Sequence, residues 1–474
     1  MSTLSSLAIA LALAVDAPAA QPASARATQP APAGQANLPP CATLDLASAL
    51  ELATRRSDEV AIKEAELQSA AVDQSLAKAV AYLPGATATF ITGPVPGAHG
   101  TVVQADPGFT NRSLKDLSVF VRLDVSAVQP IWTWGQLTAA RDAANAGYSA
   151  RSMLLKNQVS QVQLRIIQLF WAQAFARKLL GIAGDVEKSL KQVNDKIEEE
   201  LKNPDTTITT EDRYRVKLFE SELATRKADA EKGLELAQIG LAATLAVDPA
   251  SVQFDSPALE ASGPELQPLP KLIAQAEAQR ADLAALDAAI HAREAEIRAD
   301  EAAMLPAFFI AGQFSVAYAP NRDLQTNPWV NDPFREVGGG IVLGARQNLA
   351  LPLLWEQKEK AQAELEVMHA ERKGLARLID VEVQGARTEA VTAQTKLAAA
   401  QQALSAGKNW FRAAALGFGI GTEDAKALLE GYQGYVQSQV NLASASYDLL
   451  IARAKLDQLT GAPLSHGEGK CVLP

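Results

Sequence analysis

The sequence predicts a mainly α-helical chain with a membrane β-barrel part, built as a tandem helix–strand–strand–helix repeat with long coiled-coil segments. Three observations predict this. The composition is that of long helices, the apolar pattern switches between helical and strand periods at prolines, and those prolines recur at equal spacing in both halves.

The chain has 474 residues, 48% hydrophobic but only 5% aromatic, which suits extended helices better than a compact globule. Its net charge of -10, with the signs interspersed, excludes a basic nucleic-acid footprint. The first residues, "MSTLSSLAIALALAV", are apolar and run to a candidate cleavage site at Ala23-Ser24-Ala25. They read as a secretory signal over residues 1–25, although the first positive charge comes only at Arg26; the bland alternative is an Ala/Pro tail. Residues 26–43 are a Pro/Ala-rich linker in either case. Beyond this leader no run has the 18 or more apolar residues that a spanning helix needs, so any membrane entry is expected through a barrel.

The two cysteines, Cys41 and Cys471, flank the patterned region. In an exported chain they form either a disulfide joining its ends or two idle thiols. "LPPC" ending at Cys41 resembles a lipoprotein acylation signal, but Pro40 stands where a small residue is wanted.

Pro84 and Pro306 each end a helical pattern and begin a strand-like one, 222 residues apart. Pro130 and Pro352, each followed by an aromatic and a long helical run, are also 222 apart. Proline cannot donate to a helix or ladder and turns the preceding residue away from helix, so it suits such junctions. All four are assigned to barrel–tunnel junctions. The repeats are residues 44–249 and 271–463, with a linker at 250–270 and a tail at 464–474.

Strands are expected over about 86–92 and 118–129 in the first repeat, and about 307–317 and 337–351 in the second. In "SVFVRLDVSAVQP", Val119, Val121, Leu123 and Val125 point one way and Arg122, Asp124 and Ser126 the other. Ile341, Leu343 and Ala345 similarly alternate with Val342, Gly344 and Arg346. Charges on one face and aliphatics on the other fit a barrel wall with Arg122, Asp124 and Arg346 in a wet lumen, the alternative being a soluble sheet packed on one face. Trp132, Trp134 and Trp355 follow junction prolines within four residues, where amphipathic rings suit a membrane–water interface.

The helical segments carry apolar steps of three and four from Leu155 through Val162 and Ile166 to Leu190 and Ile197, a coiled-coil seam with one phase slip near Ala172. A helix from Gly135 to Lys202 is roughly 100 Å long at 1.5 Å per residue. "KNPDTTITTED" breaks it, with Thr210 as the expected N-cap of a returning helix.

No enzymatic constellation is visible. His99, His291, His369 and His466 are scattered, and Gly417, Gly419 and Gly421 lack the preceding strand of a dinucleotide site, so neither a cofactor nor a metal is expected. Four strands cannot close a pore-sized barrel, so several chains must contribute.

With the tandem repeat, the "LDLASALELATRRSDEV" opening helix, the junction prolines and the closing "ASYDLLIARAKLDQLTGAP", the chain resembles the TolC family of outer-membrane efflux ducts over Leu44 to about Pro463. The resemblance implies a homotrimer whose 12 strands form one barrel above an α-helical tunnel crossing the periplasm. It implies outer-membrane lipid, a periplasmic adaptor (membrane fusion protein) and an inner-membrane pump as partners, in efflux or type I secretion. Ile420, Gly421 and Thr422 match the family's adaptor-docking tip, whereas Asn203-Pro204-Asp205 departs from it at the first hairpin. Asp212, Glu423 and Glu430 become periplasmic gate candidates, with Ala427 at a position the family makes acidic. A coiled-coil periplasmic scaffold or adaptor without a barrel is the competing expectation.

Overall fold

In the computed structural model, the described residues are 43–82, 85–99, 116–202, 209–248, 253–255, 258–259, 265–324, 332–420 and 422–464. All belong to one unit, residues 40–474. The elements alternate in two parallel series. The first is β1 (Thr43–Leu44), α1 (Leu46–Arg56), α2 (Asp58–Tyr82), β2 (Gly85–Pro96), β3 (Leu117–Trp132), α3 (Gln136–Glu200) and α4 (Thr210–Thr244). The second is β4 (Gln253–Phe254), α5 (Leu269–Gln279), α6 (Ala281–Ala303), β5 (Ala307–Tyr318), β6 (Glu336–Arg346), α7 (Leu351–Gly419) and α8 (Ala425–Leu459). Among the described residues, no helix is long and apolar enough to cross a membrane.

The opening helix is broken where a single one was expected. Asp45 caps α1 by accepting from the Ser48 amide at 3.0 Å, and Ser57 then turns the chain at φ −65°, ψ 125° before α2. Arg280 makes the same break between α5 and α6, at φ −66°, ψ 124°. Its guanidinium donates to both Asp282 carboxylate oxygens, at 3.0 and 2.6 Å, and to Glu382 of α7 at 2.5 Å. Burial pushes the Asp282 carboxyl up, but the Arg280 bonds and charge pull it down further, so it lies below its usual 3.8.

The long helices follow their seam. Val162, Ile166, Ile167 and Phe170 of α3 enter a core with Leu50 and Leu52 of α1 and Leu241 of α4. Farther along, Ile182, Val186, Leu190 and Ile197 pack with Val216, Phe219 and Leu223 of α4. The phase slip near Ala172 falls between these two cores, where α3 exchanges one set of neighbours for another. In the second repeat the helix contacts are alanine-rich: Ala386, Ala390 and Ala393 of α7 meet Ala445, Leu449 and Ala452 of α8, and small side chains let the backbones approach.

The inter-repeat segment is pinned. β1 and β4 pair in parallel, Leu44 opposite Phe254, and Arg177 of α3 donates to the Phe254 carbonyl at 3.1 Å. Leu44 and Leu464 share one core, so the two ends of the described chain meet. Cys41 and Cys471 lie outside the described residues, as do Pro84 and Gly421.

The proline pairing requires a correction. α3 and α7 begin 215 residues apart, as do α4 and α8, whereas β2 and β5 begin 222 apart. The second repeat is seven residues shorter between its first strand and its long helix, so Pro352 is not the counterpart of Pro130. Pro130 sits within β3 opposite Phe309, beside a bulge, and β3 continues to Trp132; Pro352 lies in the first turn of α7. Accordingly β6 ends at Arg346, five residues earlier than expected, and β2 and β3 are both longer than expected. The true relation is seen after α4 and α8, where Ala246 (φ 50°) and Gly461 (φ 72°) occupy the same left-handed closing position 215 apart.

Ala246→Gly therefore relieves a strained alanine and is expected to stabilise the fold by about 1 kcal/mol in urea unfolding, while Gly461→Ala destabilises it, because an added methyl lies 2.8 Å from Gln279. For Arg280→Gln the expected loss is about 2 kcal/mol at neutral pH. A carboxyl lowered on folding contributes stability above its unfolded value, and that contribution vanishes as pH falls through the folded value. The gap between wild type and variant should thus narrow below about pH 4 in acid titrations of stability; a gap independent of pH would disprove the linkage.

Candidate functional site

The four-stranded sheet runs β2-β3-β5-β6, with every neighbour antiparallel and β2 and β6 at open edges. Residues paired across an antiparallel ladder share a face, so the register sorts the side chains. One face carries Phe90, Val121, Leu123, Val125, Ile310, Phe314, Val316, Val337, Ile341 and Leu343. Most of it is exposed in the single chain, Ile341 and Leu343 each at 77%, while Leu123, Val125 and Val316 are half-buried. The other face carries Thr87, Arg122, Asp124, Ser126, Gln313, Ser315 and Glu336, with Ile91, Val128, Phe309 and Val342 among them.

That second face is knit together. Arg122 donates to Asp124 at 2.8 Å and to the Ser315 hydroxyl at 3.3 Å, and lies 3.2 Å from Glu336; Thr87 and Ser126 hydroxyls meet at 2.8 Å. Arg122 and Asp124 are thus brought together, while Arg346 stands at the other end of the sheet, opposite Ala307 and over the Phe309 ring. The Pro333 carbonyl also accepts from Arg122, at 3.1 Å, so the chain leading into β6 lies on this polar face.

At the strand–helix boundary Trp134 (φ 54°) and Gly135 (φ 89°) make two consecutive left-handed residues before α3. A bulky residue with positive φ is uncommon and marks a tightly held turn. The Trp132 and Trp134 rings meet edge to face at 5.9 Å, and Trp134 Nε1 donates to the Pro306 carbonyl at 2.9 Å, joining the junctions of the two repeats. Trp355 bonds Glu359 at 2.8 Å beneath Lys358. With Ile131, Leu305, Leu349 and Leu353 these rings form an exposed apolar collar between sheet and helices. Sequence reasoning found the tryptophans but missed the Trp134–Pro306 bond, which joins positions 172 residues apart.

At the opposite end of the helices, α7 closes on Ile420, 76% exposed. The Gly417 carbonyl accepts from Thr422 N at 2.9 Å, Thr422 Oγ1 at 3.2 Å and Glu423 N at 3.2 Å, and Asp424 caps α8. The first hairpin corrects one expectation. Its N-cap is Thr209 rather than Thr210, and Asp212 is the reciprocal partner in a capping box, accepting from Thr209 N at 3.0 Å. Asp212 is therefore engaged in ending its own loop, and Arg215 is 3.4 Å away. Glu430 is exposed one turn into α8, with Lys426 at 3.9 Å. Among the described residues no hydrogen bond or ion pair joins Asp212, Glu423 and Glu430 to one another.

Solved structures with this arrangement exist. The outer-membrane channel OprN superposes with a TM-score of 0.70 at 15% identity, over 89% of this chain and 91% of that one. The Campylobacter jejuni CmeC outer membrane channel gives 0.71 at 12% identity over 88% and 85%. The open state of the Neisseria gonorrhoeae MtrE outer membrane channel gives 0.70 at 14% identity over 88% and 89%. This chain has the outer-membrane channel fold. No family model and no curated protein matches the sequence, so the likeness lies in the structure.

Within the channel fold, the sheet occupies one end of the long helices and the hairpin tips the other. Trp134→Phe keeps an aromatic six-membered ring and removes the pyrrole ring with its Nε1 donor. It should lower stability by about 1 kcal/mol in urea unfolding without changing secondary structure, whereas Trp132→Phe should cost less because among the described residues the Trp132 ring donates no hydrogen bond.

Proposed function

We propose that the chain is one subunit of a trimeric outer-membrane exit duct, which conducts substrates passively from the periplasm or an inner-membrane pump to the exterior, in tripartite efflux or type I secretion. The two-faced sheet with open edges carries this reading. Four strands with an exposed aliphatic face and a hydrogen-bonded polar face are a third of a barrel wall: three copies supply 12 strands, lipid meets the aliphatic side, and Arg122, Asp124 and Glu336 line the water. Lipid removes the exposure of Ile341 and Leu343, and pairing between copies satisfies the edge amides. The tryptophan collar then lies at the periplasmic interface.

The helical hairpins form a periplasmic tunnel whose tips meet an adaptor through Ile420, Gly421 and Thr422. Opening is an iris-like movement of the hairpins biased by that contact. Glu430, exposed near the tip, supplies three carboxylates around the axis, which repel one another and favour cations. A scaffold without a barrel is disfavoured by the aliphatic face it would leave in water.

Purified protein should form trimers only with detergent present and give cation-preferring conductance in planar bilayers, and Glu430→Gln should reduce that preference while trimers persist. A monomer soluble without detergent refutes the duct; an unchanged cation preference in the variant refutes the Glu430 gate alone.

A further inference from the structure

Between the two hairpins lies a cavity of about 870 Å³ that no step of passive conduction requires, and its volume is that of a drug-sized site. Its floor is apolar and aromatic. Phe175 of α3 stacks on Tyr447 of α8 at 5.2 Å between centroids and 20° between planes, and Leu179, Phe219, Leu223 and Val440 extend the surface. Trp410 of α7, half exposed, stands at the mouth. The ring lies over Gly434, where any added Cβ would come within 2.5 Å of it, so the glycine lets the indole fold down beside the cavity.

The rim is acidic. Glu222, Arg226 and Asp229 are on one face of α4, at i, i+4 and i+7, and Glu430 faces them from α8. Among the described residues neither Glu222 nor Asp229 has an ion-pair partner; Glu430 has only Lys426, at 3.9 Å. The single rim cation, Arg226, is tied to Gln437 at 3.3 Å. Three carboxylates against one guanidinium leave the rim with an excess of negative charge above an aromatic floor.

We propose that this cavity binds an aromatic, lipophilic monocation, its rings on Phe175 and Tyr447 and its charge between the Trp410 face and the Glu222 and Asp229 carboxylates. Cation–π attraction and the unpaired carboxylates select the positive charge; the floor selects the aryl body. The site is built from the helices that form the tunnel in the duct reading, but conduction does not require its occupancy, so conducting trimers without saturable uptake overturn the site alone.

Tetraphenylphosphonium is the probe, in equilibrium dialysis against the full-length chain reconstituted in nanodiscs, with triphenylphosphine oxide as the neutral control. Saturable uptake of one cation per chain is expected, at least tenfold tighter than the oxide. Trp410→Ala and Glu222→Gln/Asp229→Asn should each weaken it at least fivefold with circular dichroism and oligomeric state unchanged, and Glu389→Gln, in the remote pair with Lys455, should leave it unchanged. Equal binding of cation and oxide, or wild-type affinity in both cavity variants, overturns the proposal. So does the absence of saturable uptake, whether because a second copy or a partner's helical hairpin fills the cavity; loss of oligomer in Trp410→Ala would identify the former.

Discussion

The constraint on which everything else depends is backbone hydrogen bonding in a sheet too small to satisfy itself. β2 and β6 each present an unpaired edge, and the face between them is aliphatic. Water tolerates the edges but not the face, and lipid tolerates the face but not the edges. In the proposed trimer, closure with further copies of the same sheet meets both demands. In that proposal the polar face turns to water, since Arg122, Asp124, Ser315 and Glu336 bond one another across three strands.

The helices answer a different problem, that of staying together over a length far beyond a globular core. α3 and α7, of 65 and 69 residues, have no single centre around which to pack. They are held by successive local seams, large aliphatics against α1 and α4 in the first repeat and alanines against α8 in the second. The second-repeat seam is rich in alanine, while the first buries Phe170, Phe219 and Leu223 among its helices. The cavity lies between α3 and α4 on one side and Trp410 of α7 with α8 on the other, alongside the seam of Ile182, Phe219 and Leu223.

Duplication shapes the molecule but does not copy residues. Ser57 and Arg280 adopt the same backbone angles, yet one is a serine at a helix start and the other a guanidinium clamped by Asp282 and Glu382. Ala246 and Gly461 hold the same turn, strained in one repeat and unstrained in the other. What the repeats share is backbone geometry, which different side chains stabilise by different means. The prolines illustrate the hazard: equal spacing of Pro130 and Pro352 suggested equivalence, while the helices that follow are seven residues out of that register.

The sequence by itself determined the order of the four sheet strands and the long helices, the two faces of β3 and β6 and the seam of α3, since these rest on periods of two and of about 3.6 that neighbouring residues state locally. It also contained the signal for the break at Ser57, a serine followed by Asp58 and Glu59 in a helix's first turn, which the strong flanking helical pattern obscured. Only the tertiary structure decided that Asp212 completes a capping box, that Trp134 joins Pro306, that Arg280 reaches Glu382, and that Glu222 and Trp410 border one cavity. All but the first join positions more than a hundred residues apart. Such contacts depend on how helices lie against one another, and a periodic pattern fixes which face of a helix is buried without fixing what that face will meet.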